Sequence, residues 1–259
     1  MKNAGPLATA LAALIVAVAA WLGLDLDALR AGEPRPGTAG LPSPSTPGAP
    51  APPPGPPATP PGGVPVDGFD YYVLALSWSP SFCESEATER DALQCETTPH
   101  AFIVHGLWPQ NDRGYPEDCP TDTPRVPDAL IDEMLDIMPS RGLIGHQWRA
   151  HGACTGKTQE QYFAAVRAAW EAIVIPRRFD MPDAKVTPTV REVVGEFLRA
   201  NPEFRPEGIV VTCDGDLLDE VRLCMTKDYV FQSCGPQTLR SACRRERVEM
   251  PPPRSGAPR

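Results

Sequence analysis

Proline sets the first limit on what this chain can fold into. Fourteen of the 32 residues from Pro34 to Pro65 are proline, and most of the others are Gly, Ala, Ser or Thr. Such a stretch buries too little apolar surface to offset its ordering entropy, so residues 25–66 read as an extended, polyproline-like linker. About 190 residues follow it, which suits one domain with one core. That domain is taken as residues 67–249. The Pro-rich last ten residues, Met250–Arg259, read as a loose, disordered tail.

Residues 1–24 read as an export segment. Lys2 is followed by an uncharged run from Asn3 to Leu24, whose apolar heart, Leu7–Leu24, is 18 residues long. That length stands between a signal peptide and a membrane span. Ala17-Val18-Ala19 offers a small-residue cleavage site. A retained anchor would instead make the Pro-rich stretch Pro34–Pro65 a stalk of roughly 100 Å, at ~3.1 Å per residue. Cleaved signal and membrane anchor both stay open; export follows from either. Four Lys against twenty Arg fit a GC-rich bacterial coding bias, which would place the domain in a periplasm or outside the cell.

Cysteine usage agrees with export. All eight cysteines (83, 95, 119, 154, 213, 224, 234 and 243) lie beyond the linker, and the number is even. Zinc would need tighter pairs, but no Cys-x-x-Cys occurs, and the closest spacings are nine residues (Cys234 to Cys243) and ten (Cys224 to Cys234). A disulfide framework is the expectation. Neither a metal nor a cofactor is expected.

Charge argues against one class of function. The net charge is −9, and residues 1–66 hold three bases and three acids, so the domain carries all of it. Tight binders of long nucleic acids are usually basic. An enzyme that holds one or two nucleotides in a local cleft is less affected.

The element pattern is α+β, with a central antiparallel sheet and flanking helices. Asp70–Trp78 is rich in strand formers, and Ala101–Val104 is a second short apolar run, bounded by Pro99 and a turn at Gly106–Pro109. Apolar residues at helical spacing run from Val126 to Met138. Further helices are expected over Gly145–His151, Gln159–Ile175 and Thr189–Ala200. Gly208–Cys213 and Leu217–Met225 then pair as a hairpin around Asp214-Gly215.

Two of the four histidines have unusual surroundings. His105 opens His105-Gly106-Leu107-Trp108-Pro109, and His151 opens His151-Gly152-Ala153-Cys154 after His146-Gln147-Trp148-Arg149. A histidine at a strand end, followed at once by glycine, leaves backbone room for a ligand. A tryptophan three residues on offers a flat face for a base. Either segment alone says little, because a packed or solvent-facing histidine is the common case.

Together they carry a resemblance. Phe102-Ile-Val-His-Gly-Leu-Trp-Pro109 resembles the first active-site segment of the T2 ribonucleases, and His146-Gln-Trp-Arg-Ala-His-Gly-Ala-Cys154 resembles the second. Phe69–Trp78 is similar to that family's first strand, and the likeness extends from about Gly68 to Cys243. The resemblance implies a disulfide-stapled α+β fold and metal-free cleavage of RNA, with pairs Cys83–Cys95, Cys119–Cys154, Cys213–Cys243 and Cys224–Cys234. It implies His151 as general base, His105 as general acid and His146 at the phosphate. Trp108 would help form the base pocket, although packing against the disulfide core is an equal reading, and Tyr115 would stack more weakly. The chemistry agrees, since two imidazoles titrating near neutrality can take one proton and give another.

The chain departs from that pattern at two places, with Gln147 and Ala150 where the family usually has Glu and Lys. Gln147 lies one helical turn before His151 and keeps a neutral donor for phosphate; Ala150 has none. Arg149, about 100° around the helix, does not face the same way, and Arg141 and Lys157 are the nearby alternatives. The expected protein is a monomeric, exported endoribonuclease that acts on RNA and not DNA, because its nucleophile is the substrate's 2′-OH. The contrasting expectation is a catalytically weakened RNA-binding or surface interaction protein on the same fold.

Overall fold

The uninterrupted apolar run Tyr71–Trp78 forms β1, and all eight of its residues are buried, because it lies inside a sheet with both faces covered. A computed structural model describes residues 68–85 and 92–254. The expected export segment and linker therefore lie outside the described residues. Among those described, no helix is long and apolar enough to cross a membrane.

β2 spans Phe102–Gln110, β3 Ile209–Asp214 and β4 Leu217–Met225. The sheet order is β2-β1-β4-β3, with antiparallel pairing throughout. β3 and β4 are the expected hairpin, turning at Gly215, whose φ of 55° favours glycine. The second strand corrects the sequence reading. Instead of stopping at Val104 before a turn, β2 runs on through Gly106–Pro109 to Gln110. An edge strand tolerates Pro109, whose missing N–H removes no bond to an outer neighbour.

Most of the helices cover one face of the sheet, while the short helix Pro236–Arg240 lies on the other, where Thr238 shares a 3.0 Å hydrogen bond with the Tyr71 hydroxyl. After the short α1 (Ser79–Ser85) come α2 (Asp128–Met134), α3 (Arg141–Ala150), α4 (Gln159–Glu171), α5 (Val190–Ala200) and the short α6 (Pro236–Arg240). The apolar stripe to Met138 makes a shorter helix than its spacing suggests, since the Ile137 carbonyl accepts the Val104 N–H of β2 at 2.8 Å. α4 likewise stops at Glu171 rather than Ile175. The Asn201 side chain bonds both Val174 N–H (2.7 Å) and Val174 C=O (2.9 Å), holding that segment out of the helix. Capping boxes at Thr158/Gln161 and Thr189/Glu192 start α4 and α5.

The main core joins Tyr72, Leu74, Leu76 and Trp78 of β1 to Trp148, Tyr162, Phe163 and Phe197 of the helices. The opposite face holds a smaller cluster of Tyr71, Val73, Val210, Cys224 and Cys234. All four disulfides pair as the resemblance implied. The expected loose tail needs a correction at its start. Met250 is fully buried and bridges to Val186, and the Pro251 carbonyl accepts the Trp78 indole N–H at 3.0 Å.

Candidate active site

Alternation along a strand would send every second side chain of β2 to the helix face. A bulge at His105 shifts the alternation for the residues after it. Gly106 pairs with Ala75 and Val104 with Leu76, so two neighbouring positions of β1 face three residues of β2 and His105 is the extra one. His105 and Gly106 therefore share the open face with Trp108, while Val104 and Leu107 stay in the core. A bulge often re-aims a side chain in this way. His105 is not at a strand end, as its sequence context suggested, but in the middle of a strand.

α3 brings the second segment to the same place. Ser140 caps it by accepting the Leu143 N–H at 3.3 Å, and His151 closes it as the C-cap. The Cys119–Cys154 bridge and a 2.9 Å bond from Asp118 N–H to the Ala150 carbonyl tie its end to the loop after β2.

The two segments meet at a cleft of about 440 Å³. His105, His146, Gln147, His151, Trp108 and Tyr115, the six residues singled out from sequence, all line it. The Trp108 ring lies between the two histidines proposed from sequence, 5.2 Å from the His105 ring centre and 5.4 Å from that of His151. The His146 ring centre is 6.4 Å from that of His151. Trp108 fits both of its readings, lining the cleft and packing against the small cluster that contains Cys224 and Cys234. Its indole N–H donates to Gln147 Oε1 at 2.9 Å. Tyr115 sits exposed at the rim.

Two buried nitrogens in this cleft, Gln147 Nε2 and His151 Nδ1, have no protein partner. Leaving such groups unpaired is costly, so they point to a polar ligand. Burial, reinforced by the charges of His146 and His105, lowers the His151 pKa to about 4, which leaves its imidazole neutral at pH 7.

β4 contributes two residues that the sequence reading passed over. Glu220 is 2% exposed; its Oε1 accepts the His105 Nδ1 proton, and its Oε2 accepts from Arg222 Nε at 2.7 Å. Burial alone would raise the Glu220 pKa, but the His105 hydrogen bond and the charges of His105 and Arg222 outweigh it and hold the carboxyl below its usual range. A signal was present. A carboxylate in an apolar interior strand, with an arginine two residues on, is rarely buried unless paired.

The proposed alternatives to a residue-150 cation do not meet the cleft. Ala150 is 1% exposed and does not line it. Arg149, Arg141 and Lys157 are absent from the lining, and Arg141 pairs with Asp132 and Asp128. Among the described residues, no three His, Cys, Asp or Glu side chains group as metal ligands.

The model of the Ribonuclease T2 family matches residues 69–234. Among curated proteins, a ribonuclease of Aeromonas hydrophila is 44% identical over 94 residues, 36% of this chain and 41% of that protein. A probable ribonuclease of Haemophilus influenzae is 29% identical over 178 residues, 64% of this chain and 61% of that one. The chain thus spans about two fifths and three fifths of the length of these relatives. Ribonuclease I of Escherichia coli is 28% identical over 206 residues, covering 62% and 77%. Among solved structures, an RNase-related protein from Calystegia sepium (TM-score 0.56, 19% identity) aligns with 71% of this chain and 97% of its own. RNase NT in complex with 5′-AMP (TM-score 0.53, 22% identity) covers 71% and 99%. Both show a shared fold.

Proposed function

Since this chain belongs to the ribonuclease T2 family, we propose that it is an endoribonuclease that cleaves single-stranded RNA by transphosphorylation. The carrying observation is the pairing of a neutral, buried His151 with a His105 whose Nδ1 is already committed to Glu220. One imidazole is free to accept a proton, and the other can present Nε2 to the substrate.

His151 removes the 2′-OH proton as the 2′-oxygen bonds to phosphorus. The P–O5′ bond breaks and His105 protonates the departing 5′-oxygen. The roles then reverse: His105 accepts a proton from water, the water oxygen attacks the 2′,3′-cyclic phosphate, and His151 returns its proton to the 2′-oxygen. The product is a 3′-phosphate. Gln147 Nε2 donates to a phosphate oxygen, His146 assists from the rim, and Trp108 and Tyr115 hold the base. DNA lacks the nucleophile and stays intact.

No step calls for a metal ion. Cleavage of a fluorogenic RNA substrate is expected to proceed unchanged in EDTA. A rate that collapses in EDTA and returns with a divalent cation would contradict the mechanism. The acidic charge and Ala150 favour the second reading, a weakened RNA-binding or surface interaction protein; binding without cleavage in this assay would select it. Export to the periplasm or the exterior, anchored or free, and action as a monomer belong to the same proposal.

Gly106 gives a structural test of the site. An alanine Cβ there would overlap Gln147 Oε1 and come within 2.5 Å of Trp108 Nε1. Gly106→Ala is expected to break their hydrogen bond, destabilise the fold by about 1–3 kcal/mol and lower kcat/KM by roughly tenfold or more. Urea unfolding and dinucleotide cleavage rates measure both; wild-type kinetics would show that this contact does not shape the site.

A further inference from the structure

Arg222 is the only Lys or Arg among the described residues that line the cleft. Glu117 and Glu220 meanwhile bring negative charge to the same region. His151 is held neutral, and Trp108 and Gln147 carry no charge. Transphosphorylation nevertheless builds further negative charge on an already anionic phosphodiester. We propose that Arg222 is a catalytic residue that binds the non-bridging oxygens of the scissile phosphate and stabilises that charge. This rests on the cleft being an RNA-cleaving site.

Three partners immobilise the guanidinium. Nε and Nη2 each lie 2.7 Å from Glu220 Oε2, Nη1 donates to Ser241 Oγ at 3.0 Å, and the central carbon stands 5.1 Å from the Trp108 ring centre. Ser241 Oγ is fixed in turn by donating to the Thr238 carbonyl at 2.7 Å. A guanidinium has five N–H donors, so one remains on each terminal nitrogen. The side chain is 23% exposed, enough for a ligand to reach it.

A fork already held in place loses little entropy when an anion binds, and fixed donors are what stabilise developing charge best. The position follows from the fold. Glu220 and Arg222 are two residues apart on β4 and share a face, opposite Ser77 and Ala75 of β1. One buried carboxylate thereby orients both the acid, His105, and the cation.

The competing explanation is that Arg222 merely neutralises Glu220. Removing Arg222 in a background without that carboxylate separates the two. Initial rates of dinucleotide cleavage are compared for wild type, Glu220→Gln, Arg222→Lys and Glu220→Gln/Arg222→Gln. The double variant is expected to be on the order of 10²-fold slower than Glu220→Gln alone, mainly in kcat. Arg222→Lys, which keeps the charge without the fork, should retain more activity than the double variant. A double variant as fast as Glu220→Gln would overturn the proposal. Calorimetry with adenosine 3′-monophosphate and adenosine supplies an independent arm. Wild type should prefer the nucleotide by roughly tenfold or more, from a charge-assisted bond, and the double variant should lose that preference. A preference that survives would also overturn the assignment. If wild-type protein cleaves no RNA, the ribonuclease reading fails, and the binding comparison still decides whether Arg222 holds phosphate.

Discussion

His151→Ala is expected to lower kcat for dinucleotide cleavage by about 10²–10⁴-fold, and His105→Ala by a similar factor, the usual worth of a positioned proton-transfer group. His151 sits at the end of α3, 8% exposed, with Nδ1 unpartnered. Its ring lines the cleft, and no protein group holds it through Nδ1. The pH profile gives the sign. Burial, then the nearby His146 and His105 charges, set its pKa at about 4. The base is active above that value, so kcat/KM should fall as pH drops through about 4. The low-pH limb should disappear from the residual rate of His151→Ala. A variant with kcat within tenfold of wild type would remove His151 from the mechanism.

The same shift affects stability. A histidine whose folded pKa lies below its unfolded value takes up protons more readily when unfolded. Stability from keeping His151 neutral is therefore full above about pH 6.5 and is lost as pH falls towards 4. With 1.36 kcal/mol per tenfold change in proton affinity, the loss is roughly 3 kcal/mol. Urea titrations at several pH values should show that wild type loses more stability than His151→Ala over this interval.

Cys119→Ala/Cys154→Ala is expected to cost about 2–5 kcal/mol and to reduce turnover as well. The bridge closes a separation of 35 residues, linking the loop that carries Tyr115 and Glu117 to the turn just after His151. Without it, the spacing of the two walls rests on hydrogen bonds, such as Asp118 N–H to the Ala150 carbonyl and the Trp148 indole N–H to the Thr123 carbonyl. Cys83→Ala/Cys95→Ala provides the contrast. That bridge joins α1 to the segment after it, and neither cysteine lines the cleft. It should lower stability with kcat nearly unchanged. Urea midpoints and single-substrate kinetics on both variants test this; equal losses of kcat would contradict the assignment.

The candidate site was legible where its signal is local. His105-Gly106 and His146 to Cys154 are continuous segments, and the eight cysteines constrain how they are brought together. Tyr71–Trp78 was legible for a similar reason, since an unbroken apolar run suits a strand buried on both faces. The end of β2 was misread. Glycine and proline at 106 and 109 are turn residues in isolation, yet pairing with β1 at the sheet edge keeps the chain extended there.

Sequence by itself determined the family, the α+β order, the cysteine frame and six of the residues that line the cleft, because each depends on residue types at short spacing. Tertiary structure decided the rest. His105 and Trp108, three residues apart, face the cleft together only because β1 and β2 pair with one residue in excess. Glu220 reaches it across 115 residues of chain, and Arg222 stacks on Trp108 from β4. The neutrality of His151 follows from what surrounds it, and Ala150 lies buried outside the cleft. These properties are set by strand register and burial, which arise only when distant segments pack. No local pattern of residue types encodes them.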